Sequence, residues 1–188
     1  QITASQGNKL GLIKERAGTL RITGNDNDIN AGIRLLEGTL VIANDAQAAL
    51  SGKKSGATGN TGTLTIFNKG TLSGDGSIAA PTEVYGTIAP AGTLHFANYK
   101  ATTSAVKVTL HPEAEIVCHV KSTDEYARLD ISGLLARNGK TEEFEDSEEM
   151  PTLTIALADD ATLAVGDELT LLTATQKSGE DWQLAINY

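Results

Sequence analysis

The chain has 188 residues, of which 40% are hydrophobic but only 4% aromatic, with 19 glycines, 4 prolines and one cysteine. That length serves one domain with a sizeable core, built from Leu, Ile, Val and Ala and without an internal disulfide. A net charge of −9 repels nucleic-acid phosphates and anionic membrane surfaces, and no apolar run reaches the ~18 residues that a membrane helix needs.

Residues 1–17 read as an N-terminal cap or first strand, with Leu10, Leu12 and Ile13 as its apolar positions. No signal peptide is visible, and the start at Gln1 rather than Met reads as a processed product or a piece of a longer chain. From Gly18 the pattern is regular. In Gly18-Thr19-Leu20-Arg21-Ile22-Thr23, Leu20 and Ile22 share one face and Thr19, Arg21 and Thr23 the other, the period of a half-buried strand. A turn cluster at 24–28 leads to Ile33-Arg34-Leu35-Leu36 and then to Gly38-Thr39-Leu40-Val41-Ile42. The Gly-Thr-Leu opening returns at Gly62, Gly70 and Gly92, and Gly86-Thr87-Ile88 is a close variant. Gly18 to Gly38 is 20 residues, Gly38 to Gly62 is 24, and Gly62 to Gly92 is 30. Such spacings predict a solenoid with one strand unit per repeat.

Residues 44–61 read as a loop protruding between rungs, with Ala46 to Leu50 as a helical turn. Beyond Gly92, alternation continues through Leu94, Phe96, Val106, Val108, Leu110, Ile116, Cys118 and Val120, then through Tyr126 to Gly133. The acidic run from Glu142 to Glu149 reads as a solvated loop. Short strands follow at Leu153–Leu157, Thr162–Val165, Glu168–Thr173 and Trp182–Ile186. No segment holds helical periodicity over three turns. The predicted fold is all-β: a single-stranded parallel β-helix, in which rungs stack ~4.8 Å apart and inward residues such as Leu20, Leu40, Leu64, Leu72 and Leu94 form ladders. Three parts are expected: a cap or first strand at 1–17, β-helix repeats at 18–136, and C-terminal strands at 137–188 that form a cap or a small sandwich.

Residues 18–43 (GTLRITGNDNDINAGIRLLEGTLVIA) resemble the autotransporter-associated β-strand repeat, with Gly32-Ile33-Arg34-Leu35 as the middle strand and Gly38-Thr39-Leu40-Val41-Ile42 as the last. Gly70 to Ile78 and Gly86 to Leu94 resemble later rungs of autotransporter passengers, and Tyr126 to Gly133 resembles their later strand unit. The resemblance covers about residues 18–172. It implies a right-handed β-helix exported to the bacterial surface or outside the cell, as part of a longer chain. No translocator barrel is present in these residues.

Few residues suggest chemistry. Asp26, Asp28, Asn30 and Glu37 have a partial calcium-loop spacing, but Ala31 stands where the loop glycine belongs and the flanks are strands. His95, His111 and His119 are too dispersed for a zinc site. Cys118 and His119 fall on opposite faces of one strand, the wrong geometry for a nucleophile and its base. Asp124, Glu125 and Asp130, near Lys121 and Arg128, are the best candidates for carboxylate chemistry on a sugar. Tyr85 and Tyr99 are the candidates for a carbohydrate platform on an outer face. The leading expectation is a non-catalytic structural or adhesive segment with no cofactor or metal, partnered by a polysaccharide or a cell-surface glycan. The alternatives are an accessory carbohydrate-binding module of a polysaccharide-degrading enzyme and, behind it, a polysaccharide lyase or hydrolase.

Overall fold

The computed structural model describes residues 10–24, 27–29, 31–44, 48–51, 62–97, 106–137, 150–177 and 185–187. Among these there is no helix, and sixteen strands form one extended sheet. They are β1 (Gly11–Lys14), β2 (Thr19–Ile22), β3 (Asn27–Asp28), β4 (Gly32–Ile42), β5 (Ala48–Ser51), β6 (Leu64–Gly74), β7 (Ser77–Ile78) and β8 (Thr82–Val84). The series continues with β9 (Thr87–Pro90), β10 (Thr93–Phe96), β11 (Val106–Leu110), β12 (Glu115–Val120), β13 (Arg128–Arg137), β14 (Thr152–Leu157), β15 (Leu172–Lys177) and β16 (Ala185–Asn187). Every strand pair is parallel.

The pairings sort the strands into three stacks. The first runs β1, the start of β4, the start of β6, β8, β11 and the end of β13. The second runs β2, the end of β4, the end of β6, β9, β12, β14 and β16. The third runs β3, β5, β7, β10, the start of β13 and the start of β15. The chain visits the three in that order, then begins again. A strand with a parallel partner on each side has its backbone donors and acceptors satisfied along both edges.

Register turns the alternation of each strand into columns. Leu20, Leu40, Leu72, Ile88, Ile116, Leu153 and Ile186 align in the second stack. Ile33, Leu64, Thr82, Val108 and Leu135 align in the first, and Leu94, Leu129 and Leu172 in the third. The five leucines expected to make ladders are therefore divided among three columns. Gly38 pairs with Gly70, not with Gly62, because the same tripeptide opens strands of all three stacks. The buried core among the described residues contains a single aromatic side chain, Phe96.

Stacking begins at β1, inside the 1–17 segment, and extends to β16. Two local expectations fail. In place of the helical turn at Ala46–Leu50, residues Ala48–Ser51 form β5, paired with β3 and β7, so pairing on two edges overrides alanine's helix propensity. Residues 162–165 and 168–171 are not strands but part of a long corner. There the Asp167 carboxylate accepts from the Ala164 N–H at 2.7 Å, and Gly166 takes a φ of 100°. The rest of the expected 44–61 loop, at 45–47 and 52–61, and the acidic run at 142–149 lie outside the described residues.

Gly74 tests the close packing of corners. Its φ is 117°, and a Cβ there would collide with the backbone of Ile42 in the neighbouring strand. Gly18 has a φ of 98°, but its Cβ would meet open space. Gly74→Ala should lower unfolding free energy by about 3 kcal/mol or more, combining strain with overlap, and Gly18→Ala by only about 1 kcal/mol. Urea denaturation followed by circular dichroism reads both; equal costs would mean that the two corners are packed alike.

Candidate functional site

The most distinctive outward group lies at the corner that ends the first stack. Ile66, Val84 and Leu110 are in register, so the residues that follow them, Phe67, Tyr85 and His111, are superposed as well. Tyr85 N–H donates to the Ile66 carbonyl at 2.8 Å and His111 N–H to the Val84 carbonyl at 2.9 Å. The rings stack. Phe67 and Tyr85 have centroids 6.2 Å apart and planes 16° apart; Tyr85 and His111 are closer, at 3.6 Å and 20°. The Arg34 guanidinium lies 5.3 Å from the Phe67 centroid, closing the row with a cation–π contact.

Glu83 holds the other end. Its carboxylate lies 2.9 Å from His111 Nε2 and accepts from Thr109 Oγ1 at 3.2 Å. His111 is buried, whereas Phe67 and Tyr85 are half-buried. The row therefore offers aromatic edges flanked by a cation at one end and a carboxylate at the other. One face of Tyr85 is occupied by His111. The other expected platform residue, Tyr99, lies outside the described residues.

The candidate carboxylates do not converge. Asp130 sits in the third stack, directly between His95 and Thr173 in register. Its Oδ2 is 3.1 Å from His95 Nδ1, and its Oδ1 accepts from Thr173 Oγ1 at 2.7 Å. Glu125 lies in the turn after β12, paired with Lys121 at 3.3 Å, while Lys121 also reaches Asp160 at 3.7 Å. These two carboxylates raise the Lys121 pKa. Asp124 is exposed, and among the described residues no hydrogen bond or ion pair joins it or Glu125 to Asp130. Similar pairs recur elsewhere: Thr154 donates to Glu115 at 2.7 Å and Arg128 to Thr93 at 2.8 Å. No group of three or more His, Cys, Asp or Glu among the described residues is placed to hold a metal ion. Asp26 and Asn30 of the partial calcium loop lie outside the described residues.

Sequence reasoning singled out Tyr85 but not its neighbours Phe67, His111 and Arg34. The signal existed as one aromatic or imidazole ring placed just after an inward aliphatic in three strands. Its spacing is irregular, so only the register reveals it.

Compared with known families and curated proteins, the chain matches no family model and no curated sequence.

Cys118 and His119 do point apart: Cys118 is fully buried and His119 exposed. Burial pushes the Cys118 thiol up to about 11. At pH 8 its alkylation by iodoacetamide should run about 100-fold or more slower than in the urea-unfolded chain. The folded thiol stays protonated while the unfolded one ionises. Its contribution to stability is thus present below pH 9 and is lost as pH rises from 9 towards about 11. Alkylation as fast in the folded as in the unfolded chain would mean that the thiol is reachable.

Proposed function

We propose that this chain is a right-handed, single-stranded parallel β-helix that serves as a non-catalytic structural or adhesive segment of an exported bacterial surface protein. The observation that carries this reading is the distribution of outward polar side chains. His95–Asp130–Thr173, Thr109–Glu83–His111, Glu115–Thr154 and Thr93–Arg128 are bound to one another across neighbouring strands. They are spread along the stacks instead of gathered around one reacting atom, as a catalytic constellation would be. Ordered visits to three parallel stacks support the winding, and the resemblance of about residues 18–172 to autotransporter passengers supports export and the right hand. Such a body works by length and stiffness, with affinity for a glycan surface spread over many rungs. Beads coated with the protein should adhere to glycan-bearing surfaces, while a panel of polysaccharides should yield neither reducing ends nor unsaturated products. Turnover that disappears in Asp130→Asn would overturn the non-catalytic reading.

The row at Phe67, Tyr85 and His111 favours a second reading, an accessory carbohydrate-binding module. Aromatic surface with a few placed polar groups is the make-up of many ligand sites, and the ring edges here lie beside the Glu83 carboxylate and the Arg34 guanidinium. Tyr85→Ala should weaken glycan-array binding about tenfold or more, the scale of losing one buried aromatic contact. Tyr85→Phe should retain most of it. An unchanged array profile for Tyr85→Ala would remove the row from consideration.

A further inference from the structure

We infer that the chain cleaves its own backbone between Gly76 and Ser77, by attack of the Ser77 hydroxyl on the Gly76 carbonyl. Ser77 stands in register with the outward His95, yet it is fully buried, and its Oγ has no hydrogen-bond partner among the described residues. A buried hydroxyl without a partner costs stability, and folded chains rarely keep one without a use for it. The peptide bond that precedes it is held at both ends. The Gly76 carbonyl accepts from the His95 backbone N–H at 2.9 Å, and the Ser77 N–H donates to Asn44 Oδ1 at 2.7 Å. A Cβ on Gly76 would collide with Asn44 Oδ1, so this clamp admits only glycine before the serine.

The same column supplies a base. Ser77, His95 and Asp130 follow one another in register on β7, β10 and β13, at a strand spacing of about 4.8 Å. Asp130 Oδ2 lies 3.1 Å from His95 Nδ1, and Asp130 Oδ1 accepts from Thr173 Oγ1. A proton on Nδ1, shared with Asp130, leaves Nε2 as the acceptor, on an imidazole whose other neighbour in the column is Ser77. Hydroxyl, imidazole and carboxylate in this order are a nucleophile, its base and the group that orients the base. The His95 and Asp130 side chains are 32% and 38% exposed, so water reaches the pair although Ser77 is covered. The event is intramolecular and happens once per chain. It needs no substrate pocket, and it stands independently of the non-catalytic reading above.

The steps balance with water alone. The Ser77 Oγ–H proton passes to His95 Nε2 as Oγ bonds to the Gly76 carbonyl carbon. The His95 backbone N–H, already on that carbonyl oxygen, stabilises the negative charge that develops there. The C–N bond to Ser77 then breaks. The imidazolium returns its proton to the departing nitrogen, which keeps its bond to Asn44. The product is an ester between Gly76 and Ser77 Oγ, with a new α-amine on Ser77. Water entering beside His95 hydrolyses the ester, which leaves a carboxylate on Gly76 and restores the hydroxyl. The pairs of β6 with β8 and β9, and of β5 with β7, span the cut, so the two parts stay together while folded.

Incubation of the folded chain, followed by denaturing gels and mass spectrometry, tests it. Two products, residues 1–76 and 77–188, are expected, formed at a rate independent of protein concentration. Hydroxylamine should intercept the ester, speed cleavage and leave a hydroxamate on Gly76, a mark that a contaminating protease does not make. Ser77→Ala removes an unpaired hydroxyl, so it should fold at least as well and yield no products. Ser77→Cys should still cleave, because a thiol can attack the same carbonyl. His95→Gln keeps the backbone N–H and should slow cleavage about 100-fold or more. Asp130, a positioning residue, should slow it as Asp130→Asn and regain rate as Asp130→Glu, with far-UV circular dichroism unchanged in both. A chain that stays intact with hydroxylamine present, or equal cleavage in Ser77→Ala, would overturn the proposal. So would cleavage only at another bond.

Discussion

The structure depends on one constraint: parallel strands of successive circuits must pair in register. Pairing places each side chain about 4.8 Å from its counterpart, so each inward position must suit the positions before and after it. The column from Leu20 to Ile186 contains only Leu and Ile. Stacked aliphatics of similar shape leave few voids, and a core assembled this way does not require large aromatic side chains. Gly74 shows the other side of the same constraint. Where a strand ends and the chain must turn against Ile42, the neighbouring backbone occupies the volume of a side chain.

The same register governs the outer surface. Outward residues have no core to match, so their identities vary, and each meets whatever the next circuit provides. Where the meeting is His95 with Asp130, or Thr109 with Glu83, a cross-strand bond forms. The ring row arises similarly. Phe67, Tyr85 and His111 each follow an inward aliphatic that is locked in register, and the backbone bonds from Tyr85 to Ile66 and from His111 to Val84 carry the alignment into the corner. The row is thus as rigid as the stack beneath it. A ligand meeting it would lose less to reorganisation than one meeting a row of rings on a loop.

Alternation within strands was legible in the sequence because burial on one face imposes a period of two: Leu20 with Ile22, and Ile116 with Cys118 and Val120. Strand partners were less legible. Gly-Thr-Leu opens strands in all three stacks, so the recurrence of the tripeptide counts strands rather than circuits, and Gly38 finds Gly70 instead of Gly62. The long corner at 158–171 was misread because Leu163, Val165, Leu169 and Leu171 alternate as a strand would. Gly166 and the Asp167 cap of Ala164 determine its path. Tyr85 was singled out on its own chemistry. Its neighbours were not, since circuits differ in length and no fixed spacing links Phe67, Tyr85 and His111.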